Sequence, residues 1–287
     1  MITPNSSTQK PKQFNADKFL KWAIWIVLGL FIAVVVAFGG YYYWDRYVHL
    51  GDQSPLDQHV AQLEQAIRDD PQNPETRLTL AEYYLSQGLN EEAAEQAGQV
   101  LNATQDHQGA LLLSGVALSR LNEPEAAIEP LERFVELRRD AEMAHVDDLL
   151  EMAYYFLGEN YMKRGQSVAA ISVLESAVAI NRTDADALYQ LGQAYQAQNR
   201  PEDALAVYHR AARLVPDFTE VYSGMADSYG ALNQTDFVAY AQGMHAWSLL
   251  DYDTARTKLE FASQAQPGFA PAFLGLALTY ERLGEIE

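Results

Sequence analysis

The chain has 287 residues, 48% of them hydrophobic and 21% charged, which is the composition of a folding chain and not of a disordered one. Its net charge of −19 argues against a phosphate backbone as partner, and the lack of cysteine excludes disulfides, thiolate metal sites, thiol nucleophiles and a lipidated cysteine. The charge is uneven: residues 1–50 hold five Lys/Arg against two Asp/Glu, while the remainder holds 15 against 37.

In chain order, residues 1–18 are polar, with Pro4 and Pro11, and read as a short disordered cytoplasmic tail. Residues 19–47 read as a transmembrane helix. Between Lys21 and Asp45 lie 23 uncharged residues, Trp22 to Trp44, about 34 Å as a helix against a hydrocarbon core of about 30 Å. Eleven strongly apolar residues between Ile24 and Phe38 give an insertion preference on the order of −3 to −6 kcal/mol. Trp22 and Trp25 at one end, with Tyr41, Tyr42, Tyr43, Trp44 and Tyr47 at the other, form aromatic belts at two headgroup layers. Lys10, Lys12, Lys18 and Lys21 precede the span, whereas Asp45, Arg46, Asp52 and Asp57 follow it. The basic excess places the N-terminus in the cytoplasm and the acidic body outside. A cleavable signal peptide is the rival reading, since Val35 and Ala37 satisfy a small-residue cleavage rule. Residues 48–55 read as a linker.

The remainder, 56–287, repeats itself. Leu157, Gly158, Tyr161, Ala170, Leu174 and Ala177 recur 34 residues later as Leu191, Gly192, Tyr195, Ala204, Tyr208 and Ala211. Leu191 and Tyr195 share a helix face, while Gly192, Ala204 and Ala211 lack the bulk to hold paired helices apart. Pro201 opens a second helix and Pro216 closes it. This pattern resembles the tetratricopeptide repeat. The resemblance implies an all-α fold, a right-handed α-solenoid of helical hairpins that works by binding protein. Repeats are expected at 74–107, 108–141, 151–184, 185–218 and 236–269, with capping helices at 56–70 and 270–284. The second cap is equally readable as the first helix of a further repeat. Two irregularities stand out. Gly115 to Gly158 is 43 residues, and the stretch from Arg138 to Phe156 has neither Gly nor Pro, which predicts lengthened helices and no loop. Ala226 to Gly243 is 17 residues, half a period, so one helix is unpaired in template terms and the solenoid is expected to change course there.

No phosphate-binding glycine loop, two-His helical spacing or nucleophile with a base is present in the sequence. The reading is therefore a non-enzymatic protein with no cofactor, no metal and no small-molecule substrate. What remains is the concave face, built from first-helix residues that packing leaves free: Leu78, Glu82, Leu112, Val116, Tyr155, Glu159, Met162, Tyr189, Gln193, Gln196, Glu220, Ser223 and Asp227. Aromatic and aliphatic residues among carboxylates suit a partner segment with basic and apolar side chains. The opposing reading is that the Tyr and Met residues only pack on neighbouring helices. Together these features predict a single-pass plasma (inner) membrane scaffold, held in the bilayer by residues 22–44. Its extracytoplasmic repeats would serve as assembly factor or accessory subunit of a membrane complex. The alternative is a receptor or chaperone for basic and apolar segments of translocating proteins.

Overall fold

The computed structural model describes residues 16–44 and 55–285, with the side chains of 16–24 and 55–57 left aside. The expected tail over 1–15, Tyr47 and most of the linker lie outside the described residues, as does the side chain of Trp22. Among the described residues there are fourteen α-helices, one 3-10 turn and no strand. The chain divides into two compact units, residues 1–62 and 63–287.

The first unit contains α1, Ala16–Trp44, whose segment Trp25–Trp44 has a mean hydropathy of 2.1 and no buried residue. A helix of 20 such residues is about 30 Å long, the thickness of a hydrocarbon core. Trp25, Tyr41, Tyr42, Tyr43 and Trp44 are all exposed, at the two ends of this apolar stretch. The helix α2, Pro55–Asp69, crosses the division between the units, and none of its described residues is buried.

The second unit continues as hairpins: α3 (Pro74–Ser86) with α4 (Asn90–Ala103), α5 (Gln108–Arg120) with α6 (Pro124–Arg138), α7 (Asp148–Lys163) with α8 (Ser167–Ile180), and α9 (Ala185–Ala197) with α10 (Pro201–Leu214). Then come α11 (Thr219–Ala231), α12 (Thr235–Ser248), α13 (Tyr252–Ala265) and α14 (Ala270–Leu283). The packing follows the small and large residues of the sequence. A Cβ added at Gly115 would lie 2.6 Å from Leu131 Cδ2, and one at Gly243 would lie 2.7 Å from Leu259 Cγ. Each glycine admits the large second-helix side chain sixteen residues on, which is how two backbones approach without a void. Tyr208 is gripped from both sides, because a Cβ at Gly192 or at Gly224 would come within 2.6 Å of its Cζ.

Two expectations are corrected. Of the nine extra residues before Gly158, one lengthens α6, three lengthen α7 relative to α9, and five widen the connector 139–147 beyond the usual four. Asp147 sets the boundary: its Oδ1 accepts from the amides of Leu149 and Leu150 at 3.0 and 3.2 Å, an N-cap that starts α7 without any Gly or Pro. Arg138 pairs with the same carboxylate at 2.7 Å, tying the end of α6 to the start of α7.

The second correction concerns α11, which is not unpaired. Every tight hairpin turn carries one residue in the left-handed region: Gly88, Asn122, Gly165 and Asn199 in the first four hairpins, then Asn233 before α12 and Leu250 after it. The helix α12 therefore closes a hairpin with α11, where Tyr229 stacks on Phe237 at 5.2 Å, and opens another with α13, where Gly243 admits Leu259. One helix fills both template places, which is why the period slips by half.

Leu250 has φ 66 and is 71% exposed. A branched side chain in the left-handed region costs about 1–2 kcal/mol, and Asn tolerates it better. Leu250→Asn, copying Asn122, Asn199 and Asn233, should raise the melting temperature by roughly 2–4 °C, the equivalent of about 1 kcal/mol. An unchanged or lower value in a thermal melt would show that the turn is not strained.

Candidate functional site

The free faces of the first helices α7, α9 and α11 lie in succession along the array. Tyr155 on α7 packs edge-on against Phe156 at 5.3 Å, and its hydroxyl reaches Gln190 of α9. Tyr189 on α9 lies between Phe218 at 5.2 Å and Tyr208 at 6.0 Å, and its hydroxyl accepts from Gln193 Nε2 at 2.9 Å. Both rings are half-buried against the core, so packing on neighbours accounts for part of each side chain and leaves part of it free. Burial raises both hydroxyls above the ordinary tyrosine value. Gln193, Ser223, Glu220 and Asp227 are exposed.

Several predicted groove residues are otherwise engaged. Leu112 and Val116 are 6% and 4% exposed and belong to the core formed by α5, α6 and α7, so they cannot meet a partner; Leu78 is likewise buried. The error has a simple cause: α5 is apolar on every side, and its outer residues are covered by the helices that flank it. Gln196 is spent inside the fold, donating to the Gly224 carbonyl and to Ser228 Oγ at 2.8 Å each and accepting from the Tyr208 hydroxyl at 2.8 Å. Met162 is half-buried against the core on which Tyr155 and Tyr189 pack. Glu159 is paired with Lys163 at 2.7 Å, which removes much of its pull on an incoming cation.

In their place the structure gathers carboxylates at the N-termini of the same helices. Asp148 and Glu151 open α7, Asp184 caps α9 by accepting from the amides of Asp186 and Ala187, Asp186 follows it, and Glu220 opens α11. Helix dipoles favour acids at these ends. Crowding works against them: Glu151 is pushed up to about 7, by burial first, then by a hydrogen bond and charge from Asp184 and by Asp148. Asp186 is raised by burial and by Asp184 and Glu220. Oε1 of Glu151 is buried with no donor when the group is ionised; protonated, Glu151 becomes the donor to Asp184. Among the described residues no Lys or Arg forms an ion pair with these five acids. Nothing in the sequence analysis marks Asp184 or Asp186 as site residues. An acid at the cap and first turn of consecutive first helices was the available signal.

Residues of α4 through α8 border a cavity of about 1010 Å³ whose lining includes Leu101, Pro130, Tyr154, Tyr161 and Val173. Its polar rim is self-satisfied: Arg133 pairs with Asp106 at 2.7 Å and Glu136 at 2.5 Å, and the Tyr161 hydroxyl donates to Glu132. Among the described residues no group of three or more His, Asp or Glu is placed to hold a metal ion.

The comparisons agree with the fold. A family profile described as tetratricopeptide repeat matches residues 60–115 and 161–234, and a second profile of the same description matches 240–287. No curated protein matches the chain. Among solved structures, the crystal structure of MamA protein is 24% identical, with a TM-score of 0.50 over 68% of this chain and 96% of that one. MamA 41-end from Desulfovibrio magneticus RS-1 is 22% identical, with a TM-score of 0.53 over 63% and 96%. YrrB, described as a TPR protein with an unusual peptide-binding site, is 18% identical, with a TM-score of 0.52 over 74% and 96%.

Proposed function

The chain belongs to the tetratricopeptide-repeat family, a protein-interaction scaffold fold, and from that premise we propose that it is an N-anchored membrane scaffold whose acidic array holds protein partners outside the cytoplasm. The observation that carries the reading is the exposed apolar helix Trp25–Trp44, preceded by Lys18 and Lys21 and followed by an acidic body. In this reading α1 spans the plasma membrane once, the N-terminus is cytoplasmic, and the repeats act as assembly factor or accessory subunit of a membrane complex. Alkaline carbonate should leave the chain in the membrane pellet, and protease added to intact spheroplasts should digest the repeats. A soluble, processed chain would establish the signal-peptide alternative, and protection of the repeats would reverse the topology.

A second reading, a receptor or chaperone for basic and apolar segments of translocating proteins, is favoured by the unpaired carboxylates at the starts of α7, α9 and α11. The peptide-binding site named for YrrB supports a peptide as the ligand, though at 18% identity it supports no particular residue. Purification of the full chain with its anchor in mild detergent separates the two: a stoichiometric complex fits a subunit, a changing set of clients fits a chaperone.

A further inference from the structure

We propose that the connector between α6 and α7, with the first turns of α7, is an apolar lip that docks a protein segment carrying a lysine or arginine beside an aliphatic side chain. The proposal rests on the reading of the array as a protein-binding surface and names what that surface selects. Ten consecutive residues contain Met143, Val146, Leu149 and Met152, which are 62%, 53%, 45% and 38% exposed. They coincide with the one place where the hairpin spacing is widened by insertion. An inserted surface connector with no function beyond joining two helices is ordinarily polar.

Local structure offers no internal use for these side chains. Val146 stands just before the cap Asp147, where an apolar residue often packs on the fourth residue of the helix. Here that residue is Glu151, so Val146 does not form that apolar staple. Leu149 and Met152 are three apart, and Met152 is three before Tyr155, so they continue the free strip of α7 by a turn toward its N-terminus. The lip is nonetheless held in place. Asp147 is bound to two amides and to Arg138, and Ala144 in the 3-10 turn packs on the core. Two methionines give such a surface the adaptability to accept differing aliphatic side chains.

The occupant follows from charge. The lip borders Asp148 and Glu151, and Asp184, Asp186 and Glu220 lie further along the same starts, none of them ion-paired among the described residues. A cation placed there relieves repulsion between carboxylates that already crowd one another. A second copy of this chain, with its net charge of −19, would add to that repulsion, as would an anionic bilayer surface.

The test uses the full chain in phosphatidylcholine nanodiscs and three fluorescein-labelled peptides, (Gly-Lys-Leu)4, (Gly-Lys-Ser)4 and (Gly-Glu-Leu)4, read by anisotropy against empty nanodiscs. The lysine-leucine peptide should bind at least about tenfold more tightly than either control. Leu149→Ser with Met152→Ser, or Met143→Ser with Val146→Ser, should bring it close to the lysine-serine peptide, while leaving circular dichroism unchanged because all four residues are exposed. Equal binding of all three peptides, or full affinity in both double variants, overturns the proposal. If Tyr155→Ala with Tyr189→Ala weakens the lysine-leucine peptide and the lip variants do not, the binding face stands and the lip falls. If neither does, both readings fall. Loss of a concentration-dependent dimer in the lip variants would assign the surface to a second copy and would likewise overturn the proposal.

Discussion

Gly192→Leu should lower the melting temperature of the array by roughly 6–12 °C. Tyr208 is fully buried, and its ring is the partner that any side chain at residue 192 must displace. The ring cannot move away, because Gly224 presses on its other face and its hydroxyl is held by Gln196 at 2.8 Å. Overpacking a closed site of this kind lies at the upper end of the usual range, about 3 kcal/mol, and each kcal/mol shifts a domain of this size by about 2–4 °C. Gly224→Leu should act similarly from the far side. Gly98→Ala is the control: nothing lies within 4 Å of its added Cβ, and a helix-interior glycine exchanged for alanine gains about 0.5–1 kcal/mol. Thermal melts of the full chain in detergent provide the comparison. Gly192→Leu melting with the parent protein would dismantle the account of how α9, α10 and α11 pack.

The stability that Glu151 contributes should be lost as pH rises from about 5 to 8, and Glu151→Gln should remove that loss. Burial and the neighbouring Asp184 push the Glu151 carboxyl up to about 7 in the folded protein, above the ordinary glutamate value. Between those values the folded chain retains a proton that the unfolded chain has released, so the contribution is complete below the unfolded value and lost as pH rises through 7. Discounted for the solvent that reaches this half-exposed group, the effect is on the order of 1 kcal/mol. Glutamine mimics the protonated acid, since its amide donates to Asp184 at any pH. The difference between the two melting profiles isolates this group from the rest of the acidic body. Parallel profiles would mean that Glu151 and Asp184 do not share a proton.

The repeats were legible because their cause is local and periodic. Gly115, Gly158, Gly192 and Gly243 each precede a large residue by sixteen positions, and one contact geometry enforces that spacing every time. The connector over 139–147 was illegible because its boundary depends on a single side chain, Asp147, capping a helix in a stretch that otherwise reads as continuous helix. The candidate face was half legible. Tyr155 and Tyr189 are placed on it by their positions on the helices, but whether a free position stays free depends on what flanks it. Leu112 and Val116 are covered, while the polar Gln193 and Asp227 remain in solvent. The carboxylate at residue 184 was missed because it acts first as a helix cap, and only the fold brings it to Glu151 from 33 positions away.

Because α12 belongs to two hairpins, the array has no severable joint between α11 and α13. A fragment cut at residue 234, as whole-repeat trimming would dictate, leaves α11 without its partner and strips Phe237 from Tyr229. The complementary piece beginning at α12 exposes the ring of Phe237 that Tyr229 covered. Each piece would therefore carry an adhesive aromatic end, and the two expressed together would be expected to recombine. Nature's cut points in a modular array are the interfaces between modules, and a shared helix converts such an interface into a splice.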